Sequence, residues 1–491
     1  MRQKNPDLTP QSPVLPPIFS GFRLFSDSQL QQLHHATLEV LRRTGVNVYE
    51  ARALDLLQAA GCWVDGQRVR FPAALVEDAL SGIPSRVVLC DRNGTARLFL
   101  EGGRSYFGTG SDLPFTQDLH SGERRPSRFS DVEDVAHLVD SLPNLDFIMS
   151  MALPNDVPAA SADRHAFFGM ATNTIKPICY TAWDEHGLQD ILDMAEIIAG
   201  SRQALANSPF LVAYLEPVSP LQHPREVLCK LFRLADYGLP FVYSPAPIGG
   251  GTAPVSSAGS IVQANAEVVS GLVIAQLYRR GTPVIWGAGS GPLDMRTLVS
   301  IYTGPDAMLH AMAMTELARY YYKVPVWGFA GCSDSKLPDV QAGAEGALWT
   351  LWSALAGANL VHDVGYLESG MTCSYEMIVI NDEIISQVKR MLRGIQVTPE
   401  SLALDVIDRI GPGGNFLEHR HTNQHFREVW YPRVFDRRAY AAWEEKGKPS
   451  AVSNARQMAL ELISRHEGQP LPQEKLNALR AILARADAQA N

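Results

Sequence analysis

Charge is scarce in this chain. Only 19% of its 491 residues are Asp, Glu, Lys or Arg, and the balance is −9. A general affinity for nucleic acid or for an anionic membrane surface is therefore not expected. Cysteine is scarcer still. Cys62, Cys90, Cys179, Cys229, Cys332 and Cys373 stand singly, with no CxxC or HxxxC pair. That argues against a disulfide framework and against a structural zinc site. Cys332, in a strand-end loop, reads as a small, partly buried thiol. No continuous apolar run reaches the roughly 18–20 residues of a membrane span. The opening MRQKNPDLTPQSPVLPPIF has no apolar core of signal-peptide type, so the cytoplasm is the default expectation. No strand is followed by the GxGxxG turn of a nucleotide crevice, which disfavours an open doubly wound sheet.

What is present is a repeated alternation. Residues 1–100 read as a small α+β region packing on a larger repeating unit, with Met1–Pro17 a loose arm. From about Ser105 short apolar strands alternate with helices. Strands are expected at Ser105–Thr109, Asp146–Leu153, Pro177–Ala182, Pro209–Leu215, Pro240–Ser244, Pro283–Ala288, Val324–Ala330 and Ala358–His362. Several begin at or just after a proline, which breaks the preceding helix and spares the ladder a missing donor. Eight strands, each followed by a helix, predict a (β/α)8 TIM barrel over residues 101–395. Residues 396–491 read as a helical, aromatic extension.

In such a barrel chemistry collects at the C-terminal ends of the strands. Aromatics are few, 8% of the chain, yet nearly every strand carries one near that end: Tyr106, Phe107, Tyr180, Tyr214, Tyr243, Trp286, Phe329 and Tyr366. Several ring faces together make a cage for a quaternary ammonium group, which no hydrogen bond can hold. Each ring taken alone reads better as rim packing, and only the set of them makes a cage an even choice. Asp334 and His362 stand at the ends of strands seven and eight as candidate catalytic groups. Gly249, Gly250 and Gly289 lie in glycine runs that could bind phosphate or let a broad flat group approach closely. His419, His421 and His425 lack a carboxylate pattern to complete a metal set, and a surface or latch role fits them better. No paired-carboxylate or HxH set marks the strand ends, which disfavours a barrel hydrolase.

Longer motifs carry a resemblance. GCSDSK-x2-D-x-QAG-x-E, LAGAN-x2-H-x2-GYLESG and GPGGNFL-x3-HT-x2-HFR-x2-W-x-P, with PNDVP and EPVSPL, resemble the trimethylamine methyltransferase family from about Leu30 to His466. The resemblance implies a (β/α)8 enzyme that passes a methyl group from an amine to a corrinoid on a separate small protein, with no tightly bound cofactor of its own. The founding branch carries pyrrolysine, at a position expected within or near Cys332–Lys336. Here ordinary residues stand, as in the branch acting on quaternary amines such as glycine betaine. That branch implies a functional His362. Either His362 or an arginine would take a betaine's carboxylate. A betaine-binding barrel without turnover and a trimethylamine-specific enzyme remain as alternatives. The aromatic C-terminal segment suggests a homo-oligomer interface or a lid.

Overall fold

The computed structural model describes residues 22–287 and 289–490. The arm expected over Met1–Pro17 lies outside the described residues. Residues 22–386 and 432–490 form one compact unit, and 387–431 belong to another.

Eight parallel strand segments close into a ring. Strand Tyr106–Phe107 pairs with Leu360–His362, which pairs with Trp327–Phe329. Strand Ile178–Tyr180 pairs with Leu211–Leu215, then Phe241–Tyr243, then Val284–Trp286. Parallel bridges Gly108↔Phe147, Ile148↔Ile178 and Trp286↔Val326 complete the circuit. Seven of the eight expected strands form ladders, the one expected over Asp146–Leu153 is reduced to isolated bridges at Phe147, Ile148 and Ala152, and the fold is a (β/α)8 barrel. The helices between them follow local signals. Asp339 caps helix Val340–Ala356 by accepting from Ala342 N–H at 3.0 Å, and Gly357, with φ of +81°, ends it. Helix Glu185–Ala199 has Asp184 and Gly200 in the same roles. The helix expected over Ala307–Tyr321 runs as Pro305–Glu316 and then widens into a π-turn, Leu317–Tyr322.

The inside of the ring is packed. Phe147, Met149, Cys179, Val212, Val242, Ile285, Trp327 and Leu360 share one core with Val87, Leu89, Leu98 and Leu100. The last four belong to the hairpin Val87–Cys90/Ala96–Leu100 of the N-terminal region. That hairpin plugs the barrel floor. A small sheet, Tyr366–Leu367, Thr372–Cys373, Phe115–Gln117 and Arg124–Pro126, builds the rim above the first and eighth strands. Among the described residues one helix, Ser257–Tyr278, is long and apolar enough to cross a bilayer. It is a core helix: Asn265, Glu267, Ser270 and Gln276 are buried on it, and it packs against the N-terminal helices. The terminal helices Ala451–Arg465 and Gln473–Ala490 pack on the outer helical layer.

Residues 391–431 contain no buried residue. The helix expected over Thr398–Arg409 is two helices, Pro399–Leu402 and Leu404–Ile410. They are split at Ala403, whose φ is +51°.

Candidate functional site

Side chains of a strand alternate between barrel interior and helical layer. The register sorts the aromatics accordingly. Tyr214 is paired with Val242 and lies inside, whereas Tyr243 is paired with Trp286 and both lie outside. Four candidate cage rings therefore pack among helices and form no cage. Phe107 is fully buried beside Val361. Tyr180 meets Phe167 edge-on at 5.7 Å. The Tyr243 hydroxyl meets His223 Nδ1 at 2.5 Å. Trp286 stacks on Tyr322 at 4.3 Å. Tyr106 does point inward, but at the floor, where its hydroxyl accepts from Phe99 N–H.

The glycines are displaced too. Gly249 lies in a three-stranded sheet formed by Ile248–Gly249, Gly291–Asp294 and Val299–Ser300. Gly250 has a φ of +96°, and a Cβ on Gly289 would sit 2.3 Å from the Pro245 carbonyl. These positions are explained by turns and close packing. Asp334 does not line the cavity at the barrel mouth. Its carboxylate accepts from Thr303 N–H at 3.0 Å and from the Ser369 hydroxyl at 2.7 Å, so it clamps two loops. His425 pairs with Glu428 at 2.7 Å. Burial pushes the Cys332 thiol well up, so it stays protonated.

The mouth cavity, of about 570 Å³, is lined by residues at or beyond the strand ends. Tyr214, His362 and Tyr366 are there as expected. Asp112, Glu216, Asp363, Trp183 and Tyr302 share the wall, and Lys230 is the only cationic side chain on it among the described residues. Tyr302 and Lys230 went unread in the sequence: one sits in a long excursion after strand six, the other on the helix Arg225–Tyr237. The Lys230 ammonium donates to the Ala182 carbonyl, and burial lowers its pKa.

His362 is packed between Trp327 at 4.2 Å and Phe329 at 4.8 Å, with Tyr214 at 6.4 Å. Its Nδ1–H donates to the Gly328 carbonyl at 2.8 Å. Burial drives the imidazole down to about 3, so it is neutral. Asp363 is 1% exposed and holds a left-handed φ of +74°. Its Oδ2 accepts from the Tyr302 hydroxyl, while Oδ1 has no hydrogen-bond partner among the described residues. Burial pushes this carboxyl up to about 7, against the Tyr302 hydroxyl, which holds it down. Tyr366 is fixed by Ser111: its hydroxyl accepts from Ser111 N–H and donates to the Ser111 carbonyl at 2.6 Å. Gly110 makes this closeness possible, since a Cβ there would lie 2.2 Å from the Tyr366 ring and 2.4 Å from Asp363 Oδ1. Burial also raises the Asp112 and Glu216 carboxyls, which favours their neutral form.

Residues 2–491 match the model of the trimethylamine methyltransferase (MTTB) family. The chain belongs to that family. It is 32% identical, over 94% of each chain, to a trimethylamine methyltransferase of Desulfitobacterium hafniense. It is 31% identical to a glycine betaine methyltransferase of the same species, over 89% of this chain and 91% of that one. Family membership makes it a methyltransferase. The monomethylamine methyltransferase structure from Methanosarcina barkeri superposes with a TM-score of 0.51 over 91% of this chain and 89% of that one, at 11% identity. This last likeness speaks to the fold alone.

Proposed function

We propose that the chain moves a methyl group from a small quaternary amine of the glycine betaine type to the Co(I) corrinoid of a separate corrinoid protein. The observation that carries this reading is the cavity wall, where Tyr214, Tyr302, Tyr366 and Trp183 meet the buried Asp363. Ring faces and a buried carboxylate together suit a fixed cation. The corrinoid would supply a strong nucleophile for the methyl carbon. The C–N electron pair stays on nitrogen, and the leaving group is a neutral tertiary amine. No general acid is needed, which fits a neutral His362. The protein's task is then to desolvate the ammonium and orient one methyl outward. For the carboxylate of a betaine, no arginine among the described residues lines the cavity and His362 is uncharged, so Lys230 takes that role.

Self-association belongs to the same reading. Ile395, Val397, Leu404, Leu417 and Tyr431 are all more than 60% exposed, an apolar surface that a second copy would cover. Light scattering on the purified chain tests that point; a monomer would refute it.

The decisive assay supplies enzyme, reduced cognate corrinoid protein and one amine at a time. Methylation of the corrinoid, read by absorbance, is expected with glycine betaine and absent with trimethylamine. Turnover of trimethylamine alone would overturn the substrate assignment.

A further inference from the structure

The pair His362–Asp363 poses a problem of hydrogen bookkeeping. His362 Nδ1 faces a backbone carbonyl, so the ring proton must be there. Nε2 therefore turns a lone pair outward. Asp363 Oδ1 lies 3.1 Å from it and has no hydrogen-bond partner among the described residues. Two buried lone pairs so close repel unless a positive charge serves them both. Both groups line the cavity.

We infer that a proton and the substrate's ammonium group compete for the His362–Asp363 pair, so that each binding event expels one proton and each departure of product takes one back. This deepens the quaternary-amine reading and rests on it. In the free enzyme the proton resides on Asp363, consistent with a carboxyl whose pKa is about 7. When the ammonium settles against the tyrosines, the carboxylate becomes its counter-ion and the proton leaves to solvent. When the methyl group has gone, nitrogen carries no charge. The carboxylate is then buried without a partner, regains its proton and loses its hold on the amine. A permanent anion would bind substrate more strongly than the transition state, in which the positive charge fades. An exchangeable one can be neutralised as product forms.

The other groups facing Asp363 do not supply this proton near neutral pH. Tyr302 and Tyr366 are pushed well up by burial, as are Tyr214 and Cys332. His362 is held far below neutrality. Asp112 and Glu216, raised by burial, and Lys230, lowered by it, line the same cavity and are the remaining groups to be discounted.

Calorimetry with glycine betaine and with tetramethylammonium, in buffers of different ionisation enthalpy, measures the protons exchanged. At pH 6 close to one proton should leave per site, falling towards none at pH 8.5. The dissociation constant should fall about tenfold per pH unit as pH rises towards 7 and then level off, because below that range the cation must displace a bound proton. Asp363→Asn should bind both cations at least tenfold more weakly and abolish the proton release; asparagine tolerates the left-handed backbone there. Asp112→Asn and Glu216→Gln control for the neighbouring acids and should leave the release intact. A melting temperature close to that of the parent establishes that each variant is folded. Binding by the parent without proton release overturns the exchange and leaves the substrate reading standing. Failure of every quaternary amine to bind overturns both. Loss of the release in Asp112→Asn or Glu216→Gln but not in Asp363→Asn moves the exchange to the wrong residue and refutes the assignment.

Discussion

Tyr214 and Tyr243 sit near the ends of neighbouring parallel strands, and their surroundings have nothing in common. Tyr214 is inside the ring, against Trp327 and His362, with its hydroxyl donating to Glu216 at 3.1 Å. Tyr243 is outside, bonded to His223 and lying against Gly271 of the core helix, where a Cβ would be 2.2 Å from its ring. One step of the pleat separates a wall of the cavity from a peg in the helical layer. Parity sorts stabilising aromatics from substrate-facing ones more sharply than distance along the strand does.

That contrast can be broken from either side. Trp286→Ala, on the outer face, should cost about 3–5 kcal/mol of stability, read by denaturant titration, while the folded fraction keeps its affinity for glycine betaine. Gly110→Ala should act the other way. Its methyl group displaces Tyr366 and Asp363, and turnover should fall about 100-fold with a smaller loss of stability than in Trp286→Ala. Tyr302→Phe removes the hydroxyl that donates to Asp363 Oδ2. Affinity for a betaine should weaken by about 1.5–3 kcal/mol, the worth of a hydrogen bond to a charged group. Without that donor the carboxyl holds its proton to higher pH, so the rise in affinity should be displaced upward on the pH axis. Trp183→Leu, at the exposed edge of the cavity, should cost the least, about 0.5–1 kcal/mol in binding. Equal binding losses in Trp286→Ala and Trp183→Leu would dissolve the distinction between the two faces.

The barrel is legible in the sequence because its signals are local. Prolines at strand starts, caps such as Asp339 and glycines such as Gly357 mark boundaries without reference to the rest of the fold. The site is legible in part. His362 and Tyr214 follow from standing at the ends of strands and Tyr366 from the polar run just beyond strand eight, and His362 is also implied by the family resemblance. Phe107, Tyr180, Tyr243 and Trp286 mislead because a buried parallel strand is apolar on both faces, so composition does not reveal which way a ring points. Tyr302 and Lys230 reach the cavity through a long excursion and through a helix, and no period in the sequence announces either. Asp334 stands at the right strand end but spends both oxygens on holding Thr303 and Ser369.

The plugged floor has a kinetic consequence. Val87, Leu89, Leu98 and Leu100 seal the opposite end, so on the proposed reading the methyl-accepting protein would approach from the strand-end mouth. On that reading the amine would enter first and wait behind its co-substrate until that protein withdraws. Steady-state plots should show compulsory order, with an excess of acceptor trapping the spent amine inside and slowing the cycle.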